Sequence, residues 1–222
     1  GDRLFGTLGI RVDEHEVFGS QPTYRGSIAY VHPGTATRLH GSVGAGFKAP
    51  TLTDLFGVSA LVLGGSSVPF VGNPELDPER SVGSEIGIEQ PLWGDRVRLG
   101  VTYFQSRIRN LITTTPDFST LQNLPRAKTE GFESYAAFAL APWLSLRVDH
   151  TYTQAENLDR DEDLLRRPTH KLSGKLELRP LPDLMFSIAA LYTGHRKDID
   201  ALSFERISLG GYTVVDIAAS YP

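Results

Sequence analysis

The side chains that most often do chemistry are present but dispersed. Six histidines, His15, His32, His40, His150, His170 and His195, fall in separate segments, with no HxxxH or HxxE spacing to bring two imidazoles to one metal. There is no cysteine, so neither a thiolate metal site nor a disulfide framework is available. The run Asp159-Arg160-Asp161-Glu162-Asp163 gathers carboxylates as calcium requires, yet it lacks the glycine turn and spacing of an EF-hand loop and reads as a solvated acidic loop. Serines, histidines and acids occur without a G-x-S-x-G elbow, a Walker loop or a G-x-G-x-x-G turn. The sequence therefore predicts no catalytic residue, no metal site and no cofactor.

Composition narrows the class further. The 222 residues are 40% hydrophobic and 22% charged with a net charge of −4, which argues against disorder and against a general affinity for nucleic acid. No run of about 18 apolar residues is present, so any passage through a membrane has to be made by strands. Ordinary average hydropathy fits a membrane barrel as well as a soluble protein, because lipid-facing and lumen-facing residues alternate. Gly1 to Asp13 has neither a basic n-region nor an apolar h-region, so no secretion signal is visible, and if the protein is exported its signal lies upstream.

Period-two alternation dominates the chain. Val97, Leu99, Val101 and Tyr103 alternate with Arg98, Gly100 and Thr102, and Leu144, Leu146 and Val148 with Ser145, Arg147 and Asp149. The pattern predicts about ten strands, at 4–13, 23–31, 36–47, 81–91, 95–109, 128–140, 144–155, 170–179, 184–194 and 211–221. Short turns at 31–35, 91–95, 141–143 and 179–183 alternate with long stretches at 48–80, 110–127, 156–169 and 195–210. In an up-and-down barrel this places tight turns at one rim and long loops at the other. Trp93 and Trp143 fall in short turns, where an indole sits at a membrane–water boundary or simply half-buried in a soluble protein. Tyr30, Phe47, Tyr103, Phe104, Tyr152 and Tyr192, near other strand ends, are candidates for an outer aromatic girdle. The set expected to face inward includes Arg38, His40, Glu85, Glu89, Arg98, Arg147, Asp149, Lys171, Lys175 and Glu177, more charge than a dry core holds.

From Gly44 the chain reads Gly44-Ala45-Gly46-Phe47-Lys48-Ala49-Pro50, and later Gly72-Asn73-Pro74-Glu75-Leu76-Asp77-Pro78-Glu79-Arg80-Ser81. This order and spacing strongly resembles the TonB-dependent receptors, where a strand ending in G-F/Y-K/R-A-P leads through a surface loop to G-N-P-x-L-x-P-E-x-S. Gly9 to Asp13, Asn123 to Ala127 with Gly131-Phe132-Glu133, and Leu165 to Pro168 extend the resemblance over nearly the whole chain. Lys48, Pro50, Gly72, Asn73, Pro74, Pro78 and Glu79 read as the base of the loop, since proline ends ladder pairing and Gly-Asn favours a turn. Within the family, Leu164 to Arg167, Tyr192 to Asp198, Gly210-Gly211-Tyr212 and Asp216 to Ala218 look like the vitamin B12 receptor branch, although Ala201 stands where that branch suggests a tyrosine and Phe204 is the only aromatic of its loop.

The resemblance implies an all-β, antiparallel transmembrane barrel, of which residues 1–222 form about ten strands out of about 22. An N-terminal plug with its TonB-contacting box and the last barrel strands are expected outside this sequence, and an open wall is expected to be unstable alone. It further implies a bacterial outer-membrane location and three kinds of partner: the membrane lipid, a metal chelate (cobalamin ahead of a ferric siderophore) and the TonB complex, reached through the N-terminal region. Arg166 is the candidate ligand-binding residue, its guanidinium offering several donors to amide or phosphate oxygens of a corrinoid; pairing with Asp161 or Asp163 of its own loop is the competing reading. A soluble carbohydrate-binding β-sandwich, or a barrel lipase with a Ser-His pair at one rim, are the alternative classes.

Overall fold

The computed structural model describes residues 3–63 and 66–221. In chain order the barrel strands are β1 (Leu4–His15), β2 (Gly19–Val31) and β3 (Arg38–Lys48), followed by helix α1 (Leu52–Phe56) and the hairpin β4 (Val58–Leu63) and β5 (Ser66–Val71). Then come β6 (Glu79–Leu92), β7 (Val97–Thr114), β8 (Leu121–Ala141), β9 (Leu144–Asn157), the short β10 (Glu162–Asp163), β11 (His170–Leu181) and β12 (Leu184–Thr193). A second hairpin, β13 (Arg196–Ile199) and β14 (Arg206–Leu209), precedes β15 (Tyr212–Ser220).

All ten strands expected from the alternation are present, and they form one antiparallel sheet in chain order, β1-β2-β3-β6-β7-β8-β9-β11-β12-β15, without closing. Up-and-down order follows from the tight turns, which return the chain beside the strand it has just left. Among the described residues the other sheets are two-stranded hairpins, so no second layer exists for a β-sandwich.

The registers keep the alternation in phase from strand to strand. Leu39, Ile88 and Val101 lie side by side, as do Ala136, Val148 and Gly174, and Leu146, Leu176 and Ile188. Since a one-residue slip would turn a whole strand over, this phase match fixes one apolar and one polar face. Among the described residues nothing packs on the apolar face: Leu8, Ile86 and Ile217 are 90%, 67% and 77% exposed. Among the described residues the buried apolar side chains are Leu55, Leu76, Phe118, Ala127 and Ala155, none of them in the middle of the sheet. A sheet of this size without a core is stable only if lipid covers its apolar face, and no helix of the structure is long and apolar enough to cross a membrane.

The polar face carries the charges expected there and pairs many of them. Arg38 meets Glu89 at 2.7 Å, Arg147 meets Asp149 at 2.6 Å and Lys175 meets Glu177 at 2.6 Å, all partly exposed as on a wet wall. Gly131 lies on this face; a Cβ there would run into the Tyr152 carbonyl oxygen, so glycine lets β8 approach β9 closely.

Several expectations are corrected. The stretch 110–127 is mostly strand, because β7 and β8 run on as a ladder to Thr114 and Leu121, leaving a turn closed by Thr115 and Thr120. The stretches 48–80 and 195–210 each contain a hairpin. At the long-loop rim the first hairpin turns within three residues, so the alternation of short and long connections is broken there. Phe104 belongs to the polar face, since it follows Tyr103 and its ring end lies over Gly131; Tyr103, Tyr152 and Tyr192 stay on the apolar face.

This assignment of faces predicts an asymmetric response to charge. Leu176→Arg, in the middle of the apolar face, is expected to lower the stability of the whole receptor in lipid vesicles by about 2–4 kcal/mol. Lys175→Gln, one residue away on the wet face, is expected to cost less than about 1 kcal/mol. Denaturant unfolding of both variants checks this, and equal losses would contradict it.

Candidate functional site

At the long-loop rim the connections are tied to one another. The first ends in a clasp built on the Gly72–Glu79 motif. Thr51 caps α1, its hydroxyl accepting from Asp54 N–H while Asp54 accepts from Thr51 N–H in return. Asn73 then donates its backbone N–H to the Asp54 carbonyl (2.8 Å) and its side-chain amide to the Leu121 carbonyl (2.9 Å), which fastens the loop to the start of β8. Gly72 permits this, because a Cβ there would lie 2.7 Å from backbone atoms of Leu55 and Phe56. Asp77 donates its N–H to the Asn123 side chain at 2.8 Å. At the foot of the loop Lys48 and Glu79, opposite each other on β3 and β6, meet at 3.1 Å, and Glu79 also accepts from Ile112 N–H. Pro50 is buried, while Pro74 and Pro78 lie in the unpaired segment between β5 and β6.

Arg166 sits in the connection from β9 to β11, with a positive φ of 60°. It pairs with neither Asp161 nor Asp163. Its Nε donates to Asp198 at 3.0 Å and its backbone N–H to the Lys197 carbonyl at 2.7 Å, so its partner lies across the rim on β13. The guanidinium carbon stands 6.0 Å from the centre of the Phe118 ring, which is 6.2 Å from Phe204. Burial raises the Asp198 carboxyl, but the Ile199 N–H, the Arg166 hydrogen bond and the charges of Arg166 and Arg196 outweigh it and hold the group below the ordinary aspartate value. The acidic run is spent on similar ties: Asp159 pairs with Arg126 at 2.6 Å and Glu162 with Arg206 at 3.1 Å. Among the described residues no group of three or more His, Asp or Glu side chains is placed to hold a metal ion.

Beside Arg166 the three connections enclose a cavity of about 320 Å³, lined among others by Leu111, Thr113, Leu164, Leu165, Phe204 and Arg206. That volume is at the small end of ligand sites. Leu165 and Arg167, the chain neighbours of Arg166, are in its lining; Arg166 itself is not. Sequence reasoning missed Asp198 and Phe118 here, although the Asn123–Ala127 motif marks the segment that anchors the first loop.

The family described as TonB dependent receptor-like, beta-barrel matches residues 1–222. The chain belongs to the TonB-dependent receptor β-barrel family. Vitamin B12 transporters BtuB of Vibrio vulnificus and Photobacterium profundum are 30% and 32% identical to it, each over 96% of this chain and about a third of the relative's length (32% and 33%). A solved structure of a ferric enterobactin receptor variant from Pseudomonas aeruginosa, bound to enterobactin, superposes on 98% of this chain and 35% of its own with a TM-score of 0.77 at 23% identity. The chain thus spans about a third of the length of these members of the TonB-dependent receptor family.

The contact between Arg166 and Asp198 sets a pH dependence. With its folded pKa depressed, Asp198 contributes fully above the ordinary aspartate value of 3.8, and the contribution fades as pH falls through the lower folded value. Asp198→Asn is therefore expected to speed hydrogen exchange of the Arg166 amide at neutral pH. Exchange that is unchanged in the variant would show that the backbone bond to Lys197 alone holds the loop.

Proposed function

We propose that this wall belongs to an outer-membrane receptor whose external loops capture a metal chelate and pass it through the lumen with energy supplied by the TonB complex. The observation that carries the proposal is the apolar, coreless outer face of a family barrel, backed by a charged inner face. Such a wall separates lipid from a polar passage. The TonB contact is assigned to an N-terminal region, and the wall itself has no catalytic role.

Cobalamin is the favoured cargo, because the vitamin B12 transporters resemble this chain at 30–32% identity across its loops as well as its strands. The likeness to the enterobactin receptor supports the shared fold alone. Arg166 is the proposed ligand contact: Nε is taken by Asp198, while the terminal nitrogens have no protein acceptor among the described residues. Asp198 holds the fork in place, so that the terminal N–H groups face amide or phosphate oxygens with little ordering cost. The Gly72–Glu79 clasp is proposed to shape the rim without touching the chelate.

Equilibrium binding of the receptor, expressed from its whole reading frame and purified in detergent, tests this against cyanocobalamin and a panel of ferric siderophores. Tight cobalamin binding that weakens about tenfold in Arg166→Ala is expected, about 1.4 kcal/mol. Capture of an iron chelate with no cobalamin binding would discard the vitamin assignment and keep the transporter.

A further inference from the structure

Along the chain no two histidines have the spacing of metal ligands, yet strand pairing brings two of them together. His150 on β9 lies opposite Leu172 on β11, and His170 on β11 lies opposite Tyr152 on β9, so both belong to the outward-facing set. His170 continues the row Tyr103, Phe132 and Tyr152, and His150 stands in the next outward row toward the short turns. Long side chains on such a diagonal meet. Nε2 of His150 lies 3.1 Å from Nδ1 of His170, and the rings stack with 5.4 Å between centroids and 15° between planes.

Two nitrogens bound to one ion at about 2.0–2.1 Å stand roughly 2.9–3.4 Å apart, for angles between a right angle and the tetrahedral one. The observed separation lies inside that range, so an ion enters by turning the rings and without moving either strand. Without an ion, one ring donates its N–H to the other. When both facing nitrogens bind the ion, that hydrogen passes to the far nitrogen of its own ring, Nδ1 of His150 or Nε2 of His170, and neither has a hydrogen-bond partner among the described residues. On the neighbouring strands the outward positions beside the pair are Ser134, Phe132, Leu172 and Tyr192, none of them acidic. Calcium and magnesium, which need several oxygen ligands, find no match there, whereas imidazole suits copper, nickel and zinc, with Cu²⁺ held most tightly. The aromatic row is also where water reaches the wall, so the dication need not enter hydrocarbon.

We propose that His150 and His170 form a two-imidazole site for a divalent transition-metal ion on the outer wall, with water in the remaining positions. The ion clips β9 to β11 and is distinct from any metal carried in a chelate at the rim.

The test titrates Cu²⁺ into the whole receptor, purified in detergent without a histidine tag, and follows it by calorimetry and electron paramagnetic resonance. One ion per receptor with two equatorial imidazole nitrogens is expected, and His150→Gln and His170→Gln are each expected to weaken binding at least about tenfold. Copper is also expected to raise the denaturant midpoint of the unaltered receptor and not that of the variants. Fewer than two imidazoles around copper in the unaltered receptor would overturn the proposal, a measurement that does not depend on how the variants fold. Two-imidazole copper that survives either substitution would overturn it too. Chelate binding is a separate readout, and its failure alone would count against the transport reading and leave the metal site standing.

Discussion

The structure depends on the absence of a core. Its largest apolar surface is one side of a single sheet, and among the described residues no element covers that side. Lipid is the only solvent that makes such a face favourable, at about 25 cal/mol for each Å² removed from water. Once lipid takes one side, the rest is constrained. Each backbone N–H and C=O at membrane depth has to be paired within a sheet, which the continuous ladders accomplish for the strands between β1 and β15 and for one edge of each of those two. Each strand has to enter its neighbour's register in phase, because one slip would put a row such as Arg98, Glu133 or Lys175 into hydrocarbon.

The inner face works under the opposite rule. Its ion pairs are largely exposed, so each adds little stability, and they need no special environment to persist. What they provide is a surface that stays wet and offers donors and acceptors of both signs. At the rim the constraint on side chains is different. There the backbone leaves the ladder, and turns and hairpins place side chains from distant segments against one another, as with Arg166, Asp198 and Phe118.

The strands were legible in the sequence because a half-buried strand writes its geometry with period two, and ten segments did so. The connections were legible only as polar or proline-rich stretches. Inside them, α1 depends on the reciprocal Thr51 and Asp54 cap, and the extension of β7 and β8 depends on cross-strand pairs such as Leu111 with Leu124, neither of which has a periodic signature. The face of Phe104 was misread because aromatic character was weighed above parity, and parity decides. For the site, the Gly72 to Glu79 spacing was visible as a motif, whereas the partner of Arg166 was not. Asp198 lies in a different connection, 32 residues along the chain, and the nearer acids Asp161 and Asp163 offered a simpler pairing.

That misreading says how such rims are built. A loop that satisfied its charges locally would be free to move against its neighbours, since nothing outside it would fix its position. Here acids and bases are exchanged between two connections, Glu162 with Arg206 and Asp198 with Arg166, while Asp159 is tied to Arg126 on β8. Each exposed pair is weak, yet a pair spanning two connections converts a modest energy into a restriction on their relative position, and two such pairs restrict it at two points. The rim can then hold a small cavity open without a core beneath it.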